Sequence, residues 1–376
     1  MKTALFLVSL QLVGHGSEPW VRHTIDSSSE GADGIRLADI NRDDLMDITT
    51  GWEEGGVVRA YLHPGYNKTK QEWPAVTVGR VQSAEDAVFA DLDSDGNIDV
   101  VSSCEGKTKS MFVHWAPKSS DAILDSSKWK TEAIPITTGK QSWMYALPRP
   151  IDGKNGIDLV VSSKGKNGSV GWLEIPKDAR NVSSWKYHKL QDAGWIMSLI
   201  SIDMNKDGHK DILISDRRGP KRGVFWLEYP GPKAAIDPSQ WKRHEIGGND
   251  REIKFISQGD LDKDGRLDVI AIDTTSIIWF RSNESKWEEH VIPLPDGVGG
   301  GKSAVSFDVN HDGQNDLVFS CESAKAPLSG TRWLSYKDTP FDPVWQSHEI
   351  AGKAGIKYDR LSLIHISEPT RQASIA

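Results

Sequence analysis

Asp91-Leu92-Asp93-Ser94-Asp95-Gly96-Asn97-Ile98-Asp99-Val100-Val101 is the stretch that decides the fold. Carboxylates stand at its positions 1, 3, 5 and 9, Gly96 at position 6 supplies a sharp turn, and an apolar strand-like run follows. The same order returns at Asp203 (DMNKDGHKD), Asp260 (DLDKDGRLD) and Asp308 (DVNHDGQND). An early copy at Asp39 (DINRDDLMD) has Asp44 in place of the glycine. Pro150 to Asp158 (PIDGKNGID) keeps the frame but has lost most of its acids.

A second motif alternates with the first: Trp, two residues, His, one residue, then an aliphatic. Clear copies begin at Trp20, Trp185, Trp241, Trp287 and Trp345, and looser ones at Trp73 and Trp129, with spacings of 53, 56, 56, 56, 46 and 58 residues. Between the two motifs lies a third strand signal, such as Gly223 to Tyr229 or Gly171 to Ile175. Each period therefore holds four short strands. Strand A leads into the acidic turn, B leaves it, C carries the mid-period Trp or Tyr, and D is the Trp-x-x-His segment. Four strands in roughly 50 residues is the pattern of a β-propeller blade. Blades one to six run from about Ile35 to Ile350. The extra D strand at Trp20 to Ile25 precedes the first A strand, so it belongs to a seventh blade whose strands A to C would follow Lys357. The expected fold is all-β: a seven-bladed β-propeller of four-stranded blades, its last blade completed by the N-terminal strand and truncated in this chain. Such closure removes an open sheet edge.

Composition agrees. Among 376 residues there are 34 Gly and 15 Trp against 9 Phe, and 38% are apolar, which suits many short strands and tight turns. A formal net charge of −8 argues against a nucleic-acid partner held by bulk positive charge, and two Cys cannot build a disulfide scaffold. The D-strand histidines (His23, His188, His244, His290, His348) lie around the rim of such a fold, where they pack across strands on Trp rather than converge on a metal.

The ends differ from the repeats. Met1-Lys2-Thr3 followed by the mostly apolar Ala4 to Val13, with Gly14 and Gly16 beyond, reads as a signal peptide over residues 1–16. The propeller then occupies 17–360. Residues 361–376 fit no repeat and resemble translated sequencing-adapter read-through, a non-native tail.

In each acidic turn, side-chain oxygens surround one point and the position-7 carbonyl points inward. Hard oxygen donors of this number suit Ca²⁺, at about 2.3–2.6 Å. The expected ligand sets are Asp39, Asn41, Asp43 and Asp47; Asp91, Asp93, Asp95 and Asp99; Asp203, Asn205, Asp207 and Asp211; Asp260, Asp262, Asp264 and Asp268; and Asp308, Asn310, Asp312 and Asp316. Up to five structural ions would move the formal charge from −8 to about +2. The Asp39 site should be weakest, because Asp44 must take a turn that suits Gly, and the Pro150 turn should bind nothing.

This acidic repeat resembles the FG-GAP/VCBS family, best known from the calcium-bearing propeller of the integrin α-subunit. The resemblance spans roughly residues 20–360 and implies structural Ca²⁺ in the A–B loops. It points to fold and leaves the activity to be argued from a site.

With the A–B loops on one face, the B–C loops and the starts of the A strands share the other. Those segments carry Trp52, Glu53, Glu105, Lys164, Arg217, Arg218, Lys221, Arg222 and Glu322, and then Asp33, Arg36, Glu85, Asp86, Trp143, Tyr145, Trp195, Arg251, Lys254, Lys302, Lys357 and Arg360. Aromatics among paired charges suit a carbohydrate or another polar, anionic ligand. The candidate ligand contacts are Trp52, Glu53, Trp143, Tyr145, Trp195, Arg217, Arg251 and Lys254. The reading is an exported binding module, secreted, periplasmic or on the cell surface, for a glycan or a partner protein. The alternative is a carbohydrate lyase or dehydratase using Glu85, Asp86, Tyr145, Lys254 or Lys302.

Overall fold

The computed structural model describes residues 5–8, 19–283, 286–359 and 361. Most of the signal-peptide reading, Arg360, and the tail beyond Leu361 lie outside the described residues. The backbone strands β1 (Leu5–Val8) and β2 (Arg22–Asp26) form a two-stranded sheet.

The chain divides into two compact units, one built on Ile25–Glu245 and the other on the residues from Ile246 onward with the segment before Ile25. In the first unit β3 (Ala32–Ala38), β4 (Asp47–Trp52), β5 (Val57–Tyr61) and β6 (Ala75–Gly79) make one sheet, and β7 (Ala84–Ala90), β8 (Asp99–Cys104), β9 (Ser110–Trp115) and β10 (Lys130–Ala133) the next. A third holds β11 (Ser142–Arg149), β12 (Asp158–Lys164), β13 (Ser169–Glu174) and β14 (Lys186–Asp192). The fourth holds β15 (Ile196–Ile202), β16 (Asp211–Asp216), β17 (Gly223–Glu228) and β18 (Lys242–Gly247). The second unit carries β19 (Ile256–Gly259), β20 (Asp268–Ile272), β21 (Ser276–Asn283) and β22 (Lys286–Pro293). Its other sheet is β23 (Gly300–Phe307), β24 (Asp316–Glu322), β25 (Thr331–Ser335) and β26 (Gln346–Glu349).

Every four-stranded sheet among the described residues is an A–B–C–D meander in sequence order, the blade that the repeats foretell. The fold is all-β and propeller-type, and six complete blades plus the extra D strand β2 agree with a count of seven. Within the first unit the A strands β3, β7, β11 and β15 are neighbours in turn, and in the second β19 lies beside β23. The B strands β4, β8, β16 and β20 are buried along their whole length, because both of their faces are covered by packed sheets. One core layer joins Val101, Val113 and Trp115 of the second blade to Trp143, Leu159 and Leu173 of the third. Another joins Ile270, Ile272 and Trp279 to Leu317 and Phe319 in the second unit.

Two devices explain the repeated residues. The ninth aspartate of each acidic turn is buried, and in four of the five turns it spans two connections. Asp99 takes the Leu92 N–H at 3.2 Å and the Ala116 N–H at 2.8 Å. Asp47 does the same with Ile40 and His63, Asp211 with Met204 and Tyr229, and Asp268 with Leu261 and Ser282. Asp158, in the turn that lost its other acids, still takes Ile151 and Ile175 at 2.9 and 3.1 Å. The D-strand Trp is the second device. The indole N–H of Trp129, Trp185 and Trp241 donates to the carbonyl six residues upstream, at 2.8, 2.9 and 2.9 Å, closing the C–D loop. The histidine of the motif lies on the strand-C Trp, as expected. Trp172 and His188, Trp226 and His244, and Trp333 and His348 stack with centroids 4.4, 4.0 and 3.8 Å apart.

Removing either carboxylate strands two backbone amides, one buried donor costing about 1–3 kcal/mol. Asp99→Ala and Asp158→Ala should each lose about 2–5 kcal/mol of stability in excess chelator, read by thermal or urea unfolding. A neutral Asp158→Ala would refute the staple.

Candidate functional site

The A strands begin with a feature that the repeats do not announce. Registers slip between Asp33 and Ile35, Ala84 and Asp86, Trp143 and Tyr145, Ile196 and Ser198, and Gly301 and Ser303. Each slip is a β-bulge, and the extra residues are Gly34, Glu85, Met144, Met197 and Lys302. A bulge bends the strand and re-aims its side chain. At Gly34 only glycine fits: φ is +61°, and a Cβ would lie 2.5 Å from Asp86 Oδ1. Glu85 and Lys302, both named from sequence as candidates, therefore stand at bulges.

In the first unit these starts and the B–C loops gather a charged cluster. Carboxylate oxygens of Glu53, Glu85 and Glu105 lie within 4.8 Å of one another. Lys164 pairs with Glu85 at 3.2 Å and also with Glu105. Burial pushes the Glu85 carboxyl well above the ordinary range, Asp33 adds to the rise, and Lys164 opposes it. Arg36 holds Asp86 through Nη2 at 2.9 Å, and its guanidinium lies 5.8 Å from the Tyr145 ring centre.

Lys164 also links this cluster to Trp195, its Nζ lying 4.5 Å from the ring centroid. Arg217 and Arg218 approach the same ring at 4.8 Å each. The arrangement is built from below. Buried Asp216 accepts the N–H groups of Gly194, Trp195 and Arg218 at 2.9, 2.7 and 3.2 Å. The Arg217 N–H donates to the Trp195 carbonyl at 2.8 Å. Trp195 and Arg217 are half-buried, and Arg218 and Lys221 are exposed.

The second unit has its own network. Lys254 is fully buried and donates to the Gly301 carbonyl and to Glu322, the latter at 2.7 Å. Lys302 bridges Glu322 at 3.3 Å and Asp359 at 3.0 Å, and Lys357 holds Asp359 at 2.9 Å. Arg251 is paired with Asp273 and Glu289, both at 3.1 Å.

Several sequence expectations fall here. Trp52, Trp143 and Tyr145 are not exposed to a ligand. Trp52 is fully buried with its N–H on the Tyr61 hydroxyl at 2.9 Å. Trp143 lies in the core, with its N–H on the Thr137 carbonyl at 3.0 Å and Tyr187 against it edge-on. Tyr145 is buried beside it in the chain. Lys254 is sealed and ion-paired, which removes it as a ligand contact and as a free base. Of the eight proposed ligand contacts, Glu53, Trp195, Arg217 and Arg251 retain surface. Sequence reasoning gave Arg218 and Glu105 no role, although both sat in the B–C loops it had singled out.

The A–B loops form the other candidate site. Oxygens of Asp91, Asp93 and Asp95 lie within 4.8 Å of one another, as do those of Asp260, Asp262 and Asp268. Asp91 Oδ1 is buried without a hydrogen-bond partner. An all-oxygen, mostly anionic donor set with an orphaned oxygen fits a hard divalent cation. Where position 3 is Asp, an arginine reaches in: Arg180 to Asp93 and Asp95, and Arg281 to Asp262 and Asp264. Where position 3 is Asn41, Asn205 or Asn310, its amide donates to the position-5 Asp at 2.9, 2.9 and 2.8 Å.

Two consecutive turns, at Asp260 and Asp308, with the strands between them have a counterpart among known families. Residues 260–319 match the FG-GAP-like repeat. The whole chain is similar in architecture to a protein from Lactobacillus plantarum (8% identity, TM-score 0.51, covering 89% of this chain and 90% of that one). It is similar as well to the periplasmic gluconolactonase PpgL of Pseudomonas aeruginosa (12% identity, TM-score 0.51, 90% of both chains). An Agrocybe aegerita lectin that recognises non-reducing terminal N-acetylglucosamine aligns at 14% identity and TM-score 0.48, over 86% of this chain and 82% of that one. At such identities the likeness concerns fold. No curated protein matches the chain.

The turn that carries Asp44 in place of glycine still forms. Asp44 shares the positive φ of the glycine copies: it stands at φ 63°, Gly96 at 86° and Gly208 at 87°. The Asp44 N–H still reaches Asp39 Oδ2 at 2.9 Å, so the turn forms, at about 1–2 kcal/mol of backbone strain.

The glutamate cluster makes a pH prediction. A carboxyl whose folded pKa is raised contributes stability that is full below its unfolded pKa, about 4.3, and is lost as pH rises through the folded value. The melting temperature of Glu85→Gln relative to wild type should therefore climb as pH rises above the unfolded value of about 4.3. A pH-independent difference would show that Glu85 holds no extra proton.

Proposed function

We propose that the chain is an exported, calcium-stabilised propeller that binds a glycan or a partner protein through the first unit's B–C loops. The observation that carries this reading is the Trp195 cage, an aromatic ring partly open to solvent and flanked by Lys164, Arg217 and Arg218. It is fixed by backbone hydrogen bonds to a buried carboxylate, so its parts are ordered before a ligand arrives, and preorganisation lowers the cost of binding. Calcium enters as a staple. Asp91, Asp93 and Asp95, and Asp260, Asp262 and Asp268, would hold it, and it would supply charge neutralisation to the loops rather than chemistry.

A second reading has one specific support. Glu85, buried and carrying a raised pKa beside Glu53, Glu105 and Lys164, has the environment of a proton donor. On that reading the fold houses an acid-base enzyme acting on carbohydrate.

Trp195→Ala should weaken retention of a bound glycan by about tenfold or more, roughly 1.4 kcal/mol, without shifting the melting temperature in parallel. Retention on a glycan panel with no new reducing or unsaturated ends supports the module; new ends that vanish in Glu85→Gln support the enzyme. Separately, Ca²⁺ at 100 times its dissociation constant should add about 2.7 kcal/mol per site over the chelated protein. Identical melting curves in calcium and in excess chelator would remove the ion from the account.

A further inference from the structure

The five acidic turns differ at position 3, and each choice comes with its own partner. Where position 3 is Asn, its side-chain amide donates to Oδ2 of the position-5 aspartate: Asn41 to Asp43, Asn205 to Asp207 and Asn310 to Asp312. Where position 3 is Asp, that amide is gone and a guanidinium stands in for it. Arg180 donates through Nε to Asp93 Oδ2, and its Nη2 lies 3.5 Å from Asp95 Oδ2. Arg281 donates through Nε to Asp262 Oδ2 and through Nη2 to Asp264 Oδ2, the latter at 2.8 Å. In both turns Nε meets position 3 and Nη2 meets position 5.

The two arginines come from different places in the blades. Arg281 belongs to strand C of its own blade, β21, whereas Arg180 lies in the connection between β13 and β14 of the blade after its turn. Two unrelated positions therefore supply the same pair of contacts, which the repeat by itself does not dictate. Formal charge follows the same rule. Asp91, Asp93, Asp95 and Asp99 exceed the acids of the Asp203, Asn205, Asp207 and Asp211 set by one, and Arg180 cancels the excess. Arg281 does so for the Asp260 turn, where Arg266 also approaches Asp264 at 3.6 Å. An exposed ion pair contributes little alone, but a planar fork across two adjacent carboxylates also relieves their mutual repulsion.

We propose that Arg180 and Arg281 are resident counter-ions of the Asp91 and Asp260 turns, each forming with its position-3 aspartate a unit interchangeable with the asparagine of the other turns. The unit bridges positions 3 and 5 and offsets the added carboxylate without a metal ion. These two turns keep their shape when calcium is scarce, and loss of the arginine makes them depend on it. Calcium as the staple of the turns, the reading given above, is a premise of that last step alone; the exchange of Asp with Arg for Asn needs no ion.

Thermal unfolding of the full chain, in excess chelator and in Ca²⁺, tests both steps with Arg180→Ala, Asp93→Asn and the double variant D93N/R180A. The Arg180 side chain is 39% exposed, so its removal leaves the core intact. In chelator Arg180→Ala should melt about 2 °C or more below wild type, and D93N/R180A should recover most of that loss. The guanidinium also lies 4.7 Å from the Trp115 ring centroid, a contact that Arg180→Ala removes with or without Asp93→Asn and that cancels from the comparison. In Ca²⁺ the loss from Arg180→Ala should shrink, because the ion supplies the missing positive charge. Arg281→Ala, with and without Asp262→Asn, should repeat the pattern. An Arg180→Ala loss that is equal with and without Asp93→Asn overturns the exchange and leaves Arg180 as a packing partner of Trp115. A loss equal in Ca²⁺ and in chelator, in a protein whose wild type is stabilised by Ca²⁺, overturns the counter-ion role. Identical wild-type melts in the two buffers remove calcium from the turns and the calcium-dependent step with it, while rescue by D93N/R180A in chelator still decides the exchange.

Discussion

The ninth aspartate of each turn is the interaction on which the blades depend. It sits where strand B begins, and in every turn but that of Asp316 its two oxygens tie the loop behind it to the end of strand C or the connection that follows. One side chain thereby fixes three strands. Its burial has a cost: Asp99 is pushed up to about 7 and Asp47 to about 6, chiefly by desolvation. The backbone amides offset part of that cost, and a cation in the turn would offset more. The blade that lost its other acids keeps the ninth, because Asp158 serves the backbone whether or not an ion is present.

The remaining acids of the turns belong to a second layer of design. They add charge that the backbone does not need, and the chain balances it locally in three ways. Arg180 and Arg281 reach the two turns that have Asp at position 3. Asn replaces Asp at position 3 in three others. Lys154 stands in the degenerate turn and pairs with Asp152 at 3.0 Å. These choices imply that the turns differ in their need for a cation, and that the ninth position is common to all because its role is separate.

How much of this was legible in the sequence follows from what periodicity encodes. Strand order and the four-strand blade repeat every period, and D-strand His lies on strand-C Trp in the blades that carry both, so the repeated motif exposed them. The B–C loops do not repeat, and their charges were located from sequence without their partners. Trp143 and Tyr145 were misjudged for a definite reason. The bulge at Met144 breaks the alternation that would separate an inward from an outward residue, and both neighbours end buried. Lys254 was misjudged for another: a lysine is ordinarily at the surface, and partners such as Glu322 and the Gly301 carbonyl make its burial tolerable.

The same bulges connect fold to function. A propeller brings the starts of its A strands together in every blade, but regular strands would present backbone and small side chains there. An added residue turns one side chain per blade out of register, and the chain has used that freedom unevenly: Gly34 to admit Asp86, Met144 and Met197 in the first unit's core, Glu85 and Lys302 as charges. The polar character of this face is therefore set by a few bulge residues and the loops beside them, while the staples that hold the blades lie at the opposite ends of the same strands. Changes at one end can alter recognition without disturbing the ninth aspartates at the other, which is how a repeat so specific for fold can be so unspecific for ligand.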